Sequence, residues 1–273
     1  MIVDYHMHLR GSDDPPSGRY SADRAEEYIE QAQHAGVDEI GLSDHVYHFT
    51  QTRDLWEIPW MLERCVDDLD EYVGAVTEAK ARGLPVKLGL EVDYFPGTEH
   101  KLAALLEPYP WDYLLGSVHF VDGFAIDQEP GLVHRVPVGE AWRRYFTWLR
   151  NAARSGLFDV LAHPDLIKFF RMRPADDETQ YLHIETADAI EAAGVCVEIS
   201  AAGLHKPTGE VYPDRELLAA CHERGVPITL ASDAHEPAHV GRDIGRAAAL
   251  ARDVGYGTVT VFERRERRQE PLG

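Results

Sequence analysis

Histidine and carboxylate side chains recur in short motifs along this chain of 273 residues, which contains 14 histidines. Each motif stands at the C-terminal end of a short apolar run. The motifs are Asp4-Tyr5-His6-Met7-His8, Ser43-Asp44-His45, Glu91-Val92-Asp93, Ser117-Val118-His119, Ala162-His163-Pro164-Asp165 and Ser232-Asp233-Ala234-His235. Imidazole together with carboxylate is a ligand set that suits zinc, iron and manganese. The recurrence of these side chains therefore predicts a metal site.

The spacing within two of the motifs suits the binding of one ion by two side chains. Residues i and i+2 of an extended segment point the same way, so His6 and His8 are placed to share an ion. Asp233 and His235 repeat this geometry. A lone His-X-His pair is a weak motif. A tetrahedral zinc needs three or four ligands, and the surplus here predicts more than one ion, with Glu91 as a bridge between two.

The apolar runs predict the strands that position these motifs. They are short, rich in Val, Ile and Leu, and alternate only weakly, as expected of strands buried on both faces. The predicted strands are 2–5, 39–42, 86–92, 113–118, 160–162, 195–199, 228–231 and 257–262, and the predicted helices are 22–35, 59–82, 99–106, 139–155, 179–193, 214–224 and 238–254. Alternating strands and helices indicate a parallel sheet with right-handed crossovers.

Seven strand–helix units in one chain favour a closed α/β barrel over a two-domain sheet. We expect residues 1–273 to form a single domain, in which 263–273 is a charged, solvated C-terminal tail. Strand ends share one face of a parallel barrel, where barrel active sites lie. Of the first seven predicted strands, all except 195–199 end in one of the motifs. We therefore expect a shared metal site on that face.

The histidines outside these motifs are predicted to lie either on the surface or near the metal site. His34, His183 and His222 fall in helical patterns and are expected to be exposed. His48 and His205 follow a strand end closely enough to reach the predicted site.

The charge and composition of the chain limit the classes of binding partner that it could have. The formal net charge of −20 argues against long nucleic acid or an anionic membrane surface as a partner. We find no apolar run long enough for a membrane span and no signal peptide. The spacing of the three cysteines fits neither a zinc ribbon nor a disulfide framework. These features predict a cytoplasmic location and leave the oligomeric state open.

The motifs, in this order, resemble the PHP superfamily, the polymerase and histidinol-phosphatase metal-dependent phosphoesterases. Three segments resemble its histidinol-phosphate phosphatase branch: 116–120, 157–165 and 203–213. The resemblance implies a distorted seven-stranded (β/α) TIM-like barrel that binds two to three divalent ions (zinc, manganese or iron). It implies His6, His8, Glu91 and Asp233 for the first ion, Glu91, His119 and His163 for the second, and His45 and His235 for the third.

One departure from the family concerns the third ion. Many members have another histidine shortly after the first motif, whereas 9–19 has none here. Asp13 or Asp14 would substitute for it, or the third ion is weakly held or absent.

The resemblance implies hydrolysis of a small phosphorylated metabolite. The leading hypothesis is conversion of L-histidinol phosphate to L-histidinol and phosphate, in histidine biosynthesis, by a hydroxide that bridges two ions. Glu91, Asp233 and His235 are the predicted catalytic residues. Asp165, His205 and His235 are candidates for protonating the departing alcohol.

Phosphate and the remainder of the substrate need further contacts. The predicted substrate-binding residues are Lys206, His205, Arg135 and Arg19, and Lys168 lies in a similar loop. Tyr47, Phe49, Trp56 and Trp60 follow the second strand and are candidates for an aromatic wall.

Two alternatives stay open. One is a PHP-type phosphoesterase that acts on a nucleotide or another small phosphorylated metabolite. The other is a metal-binding regulatory module without enzymatic activity.

Overall fold

The structure, a computed structural model, describes residues 1–11 and 20–273. The predictions for Asp13, Asp14 and Arg19 lie outside the described residues. The strands are β1 (Val3–Asp4), β2 (Glu39–Leu42), β3 (Val86–Leu88), β4 (Glu91–Asp93), β5 (Leu115–Ser117), β6 (Phe120–Val121), β7 (Phe124–Ala125), β8 (Val160–Leu161), β9 (Cys196–Ser200), β10 (Ile228–Ala231), β11 (Thr258–Glu263) and β12 (Glu266–Pro271).

The α-helices alternate with most of these strands, as the sequence predicts. They are α1 (Ala22–His34), α2 (Pro59–Arg64), α3 (Leu69–Ala81), α4 (Glu99–Leu106), α5 (Val138–Arg154), α6 (Asp176–Ala193), α7 (Arg215–Glu223) and α8 (Ile244–Val254). Ser21 caps α1 by accepting a hydrogen bond from Arg24 N, and Asp214 caps α7 in the same way through Leu217 N. Within the described ranges, no helix is both long enough and apolar enough to span a membrane.

Two parallel sheets form the centre of the molecule, with strand orders β1-β2-β3 and β10-β9-β8-β5-β4. Hydrogen bonds link them at two places. Tyr5 N donates to Leu230 O over 3.0 Å, which joins β1 to β10. Gly89 N donates to Leu42 O over 2.8 Å and Glu91 N to Asp44 O over 3.0 Å, so the chain from β3 to β4 passes from one sheet to the other. The mixed α/β fold is thereby confirmed.

Close packing at the sheet centre depends on two glycines. A Cβ atom on Gly41 would lie 2.1 Å from the Tyr113 hydroxyl oxygen, and one on Gly89 would lie 2.3 Å from Tyr113 Cζ. The fully buried Tyr113 ring therefore occupies the space that these side chains would need. Its hydroxyl donates a hydrogen bond of 2.7 Å to Tyr5 O, which ties it to β1.

The prediction of one helix over 59–82 is wrong, because α2 and α3 are separate. The Asp68 side chain accepts a hydrogen bond from Asp70 N and caps α3. Such a side-chain bond offers the backbone an alternative to continuing the preceding helix. The prediction of one helix over 238–254 is also too long, since α8 begins at Ile244.

The C-terminal segment is a paired strand, so the prediction of a tail is wrong, although its side chains are mostly exposed to solvent as a solvated segment requires. The strand β12 pairs antiparallel with β11 along its whole length. The Arg265 guanidinium also forms an ion pair with Asp159 at 2.8 Å. The side chains of β12 are mostly exposed, and backbone pairing rather than burial holds this charged segment in place.

Candidate metal centre

The strand ends bring the predicted ligands together, as the barrel argument requires. His6 and His8 follow β1, and His8 N donates to Ala234 O over 2.8 Å, beside Asp233 and His235. An isolated parallel bridge joins His45 to Glu91. The backbone between neighbouring strands thus sets which side chains meet.

Five imidazoles of the described chain face the buried carboxylate of Glu91, and the most distant is His8, whose Nε2 lies 3.8 Å from Oε2. Its Oε1 lies 3.1 Å from His163 Nε2 and 3.4 Å from His119 Nε2. Its Oε2 lies 2.6 Å from His45 Nδ1 and 3.3 Å from His6 Nε2. The two oxygens therefore face different histidines, which is the arrangement that a bridging carboxylate needs.

Asp233 forms the other side of the cluster. Its Oδ1 lies 3.3 Å from His8 Nε2, 3.7 Å from His6 Nε2 and 3.6 Å from His235 Nδ1. Asp233 adopts a positive φ of 54°, a conformation that side-chain-bearing residues rarely occupy and that is often found at functional sites.

The donor atoms group into sets that fit metal ions. Within each set the donor atoms lie within 4.8 Å of one another: His6, His8 and Asp233; His6, Glu91 and His163; His8, His45 and His235; and His45, Asp93 and His119. These sets overlap the predicted division into three sites but do not reproduce it. His6 takes the place of His119 beside Glu91 and His163, His8 joins His45 and His235, and His119 groups with His45 and Asp93. The chemistry of these sets, imidazole with carboxylate, suits zinc, manganese or iron.

Several buried donor atoms support the same conclusion. In the described part of the chain, no hydrogen bond reaches His6 Nε2, His8 Nδ1, His45 Nδ1, His163 Nδ1 or Glu91 Oε2. Buried polar atoms are normally satisfied, and each exception calls for an explanation such as an ion. The residues present therefore fit bound metal.

The charges within this cluster act strongly on one another. Burial favours the neutral acid, but His45, His6 and His119 hold the pKa of Glu91 well below its usual value. Burial lowers the pKa of His119, and Glu91 and Asp93 reverse this and raise it to about 10. Burial and the neighbouring His45 keep the pKa of His8 well below its usual value.

Two further carboxylates, neither of them among the predicted ligands, contact the candidate ligands. Glu198 on β9 is fully buried and lies 2.8 Å from His6 Nδ1 through its Oε2. Its Oε1 accepts a 3.1 Å hydrogen bond from His163 N. Asp93 lies 2.9 Å from His119 Nδ1. The sequence signal for Glu198 is a lone acid within the apolar strand β9.

A pocket of about 220 Å³ opens onto this cluster. Its lining residues are His45, Tyr47, Trp60, His119, Phe120, Asp127, Gln128, His163, Leu166, Phe169, Lys206, Tyr212, Asp233 and His235. A larger groove among α6, α7 and α8 shares none of these residues. We place the chemistry in the smaller pocket, because the clustered donor atoms lie there.

Of the predicted substrate-binding residues that the structure describes, one lines the pocket and two do not. Lys206 lines the pocket. His205 lies outside the lining and pairs with Asp243 at 2.7 Å. Arg135 also lies outside the lining, with its guanidinium 5.8 Å from the Phe124 ring centre. The predictions that His205 and Arg135 contact substrate therefore gain no support from the pocket.

Lys168, Asp165 and His183 are buried away from the pocket. Lys168 and Asp165 are fully buried and pair with each other at 2.7 Å. Burial raises the pKa of Asp165 to about 6, but neither residue lines the pocket. His183 is buried rather than exposed, which corrects the prediction from the helical pattern.

Of the four aromatic residues proposed for the wall, two line the pocket. Tyr47 and Trp60 do so, with ring centres 5.2 Å apart. Phe49 and Trp56 are buried and lie outside the lining. His48 likewise lies outside the lining, beside His45 with ring centres 5.3 Å apart.

Parallel strands that end in a shared cluster of imidazoles and carboxylates define a metal-dependent hydrolase site on an α/β scaffold. A family model for the PHP domain matches residues 4–202. The chain belongs to this family and is a metal-dependent phosphatase.

Its relatives and a solved structure agree with this membership. The "Probable histidinol-phosphatase" of Deinococcus radiodurans is 34% identical over 277 residues, covering 99% of each chain. The histidinol-phosphatase of Bacillus subtilis is 24% identical over 244 residues, covering 81% of this chain and 90% of its own. The crystal structure of histidinol phosphate phosphatase from Lactococcus lactis, complexed with zinc, L-histidinol and phosphate, has a TM-score of 0.78, 20% identity and 98% coverage of both chains. That likeness confirms the fold.

Proposed function

We propose that this phosphatase hydrolyses L-histidinol phosphate to L-histidinol and inorganic phosphate. The observation that carries the proposal is the Glu91 carboxylate, which faces five imidazoles beside a pocket lined by three of them, His45, His119 and His163. Support for the substrate comes from the full-length relative in Deinococcus radiodurans, whose name includes histidinol-phosphatase. A cytoplasmic location stays a prediction.

We assign the metal ligands as the resemblance implies. His6, His8, Glu91 and Asp233 would hold one ion, and Glu91, His119 and His163 a second. His45 and His235, together with His8, would hold a third, and this set needs no residue from 12–19. Divalent ions held there would supply an activated water at neutral pH and positive charge for phosphate oxygens.

The remaining side chains would orient the ligands and the substrate. Glu198 and Asp93 occupy Nδ1 of His6 and His119, which leaves the opposite ring nitrogen of each to face the carboxylates. Lys206 would donate to a phosphate oxygen. His235 would supply the proton to the departing alcohol if the third site holds no ion, and water at the metal centre would supply it if His235 holds that ion. The buried pair Lys168 and Asp165 plays no direct part in this scheme.

The strands of the two parallel sheets could close into one barrel. We propose that β1, β2, the interrupted strand β3–β4, β5, β8, β9 and β10 form a distorted seven-stranded barrel. The supporting contacts are the hydrogen bonds between β1 and β10 and the continuous pairing along 89–91. We also propose that the described chain is a single domain, because one hydrophobic cluster runs through it.

A phosphate-release screen tests the substrate. Purified protein with counted zinc, manganese and iron would be offered L-histidinol phosphate, adenosine monophosphate, glycerol phosphate and p-nitrophenyl phosphate. We expect the highest kcat/KM with L-histidinol phosphate, by about tenfold or more, because specific polar contacts discriminate strongly between substrates. Faster turnover of the nucleotide would favour the alternative phosphoesterase, and no release from any ester would favour a regulatory module.

A further inference from the structure

Among the described residues, two carboxylates line the pocket, Asp127 and Asp233. Only Asp233 belongs to the metal cluster. Asp233 lies within hydrogen-bonding distance of His8 and belongs to a donor set. Asp127 belongs to none of these sets. It is half-buried, and it falls in the long loop after His119, in a segment to which the catalytic scheme gives no role.

The backbone holds Asp127 in a defined position. The preceding residue, Ile126, is buried, and its N–H donates a 2.8 Å hydrogen bond to His119 O. Just before it, β6 and β7 pair through Phe120 and Ala125. The hairpin thus ties Asp127 to the backbone of a proposed metal ligand.

The Asp127 carboxylate itself has no partner in the described protein: no hydrogen bond or ion pair from residues 1–11 or 20–273 reaches it. Its charge nevertheless acts on the pocket. Burial is the main reason that the pKa of Tyr47 is raised, and Asp127 adds to this effect after Asp93 and Glu91. An unpaired carboxylate in a partly desolvated pocket is unfavourable unless a cation joins it.

Part of the lining of the same pocket is aromatic. The rings of Trp60 and Phe120 lie 5.8 Å apart, and the Arg64 guanidinium covers the Trp60 ring at 3.8 Å. Aromatic rings favour flat and cationic groups. A phosphate group would be repelled by Asp127, so the carboxylate also disfavours binding of the substrate in the reverse orientation.

We propose that Asp127 is the specificity-determining residue of this pocket, binding the cationic group of the substrate through an ion pair while the phosphate binds at the metal cluster. The chemical class selected is a phosphate monoester whose alcohol carries an ammonium or imidazolium group. The inference rests on the proposed function, since L-histidinol phosphate carries both an amine and an imidazole.

The test compares a cationic with a neutral ester. In D127N, we expect the KM for L-histidinol phosphate to rise about 10- to 100-fold, with kcat within about threefold, because one charge-assisted contact is lost. Phenylpropyl phosphate has a ring but no charge on its alcohol. We expect D127N to hydrolyse it at least as fast as the unsubstituted enzyme does. D127E, which retains the carboxylate, is expected to restore most of the preference.

The matched control is D122N. Asp122 lies in the same hairpin and pairs with Arg144 at 2.8 Å on the surface, so its substitution is expected to leave both esters unaffected. Product inhibition provides a readout that does not depend on turnover. In D127N, L-histidinol is expected to inhibit about 10- to 100-fold more weakly, whereas inorganic phosphate inhibits equally or better.

Three results separate the possibilities. An equal loss of kcat for both esters in D127N would assign the residue to proton transfer and overturn the inference, as would unchanged kinetics. If the unsubstituted enzyme hydrolyses other esters but not L-histidinol phosphate, the proposed substrate is wrong. Asp127 is then tested with aminopropyl phosphate against propyl phosphate, and equal effects of D127N on these two esters would overturn the inference.

Discussion

The carboxylate of Glu198 accepts hydrogen bonds from His6 Nδ1 and from the backbone N–H of His163. It therefore orients a ligand on each side of Glu91 without lining the pocket itself. Partners of this kind fix the tautomer and the orientation of the ligating imidazole. At the scale of single residues, the cluster depends on these buried contacts as much as on the ligands.

Substitution of Glu198 by Gln tests this role. We expect metal affinity and kcat each to fall about 10- to 100-fold, because the neutral amide has one acceptor oxygen and cannot accept from both His6 Nδ1 and His163 N. Metal content after dialysis and phosphate release would both be measured. The control is Glu191→Gln, at an exposed position on α6. Normal activity and normal metal retention in Glu198→Gln would contradict the assignment.

The pH dependence of metal binding follows from His119. Burial lowers its pKa, but Glu91 and Asp93 raise it to about 10, so the metal-free protein holds a proton there at neutral pH. A metal must displace that proton, and affinity should therefore rise with pH until about 10. Calorimetric titration with zinc in buffers of different ionisation enthalpy measures the protons released. No proton release near pH 7 would contradict this expectation.

At the scale of elements, the predicted strands and helices correspond to observed ones, and the differences have local causes. The strands 39–42 and 228–231 and the helix 99–106 match within their bounds. The helix 59–82 divides because Asp68 caps α3. The tail 263–273 becomes β12 because it finds a pairing edge on β11, which no local pattern of charged residues would reveal.

The contact between β2 and Tyr113 provides an element-scale prediction. In Gly41→Ala, the new Cβ would lie 2.1 Å from the Tyr113 hydroxyl oxygen, so the ring or the strand must shift. We expect a loss of about 1–3 kcal/mol in the free energy of unfolding, measured by urea denaturation. Gly74→Ala is the control, because nothing lies within 4 Å of the added Cβ on α3. It should stabilise the protein by up to about 1 kcal/mol, and equal behaviour of the two variants would contradict the packing argument.

At the scale of the whole molecule, the candidate metal centre joins the two sheets, since its side chains come from the ends of strands in both. Ions bound there should stabilise the native state by mass action, by about 3–4 kcal/mol for each site at 100 to 1,000 times its Kd. We expect chelation to lower Tm and added zinc to restore it. In Glu91→Gln the same treatment should shift Tm much less, and an equal shift in both proteins would contradict a shared metal centre.

The sequence alone determined the candidate ligand types, their order and the alternation of strands with helices, because hydrophobic periodicity and short motifs are local properties. The tertiary structure decided the rest. It showed that Glu198 lies behind His6, that Lys168 pairs with Asp165, that His205 lies outside the pocket and that Asp127 lines it. Each of these depends on which distant segments meet, and a side chain acts through its neighbours in space, which spacing along the chain does not specify.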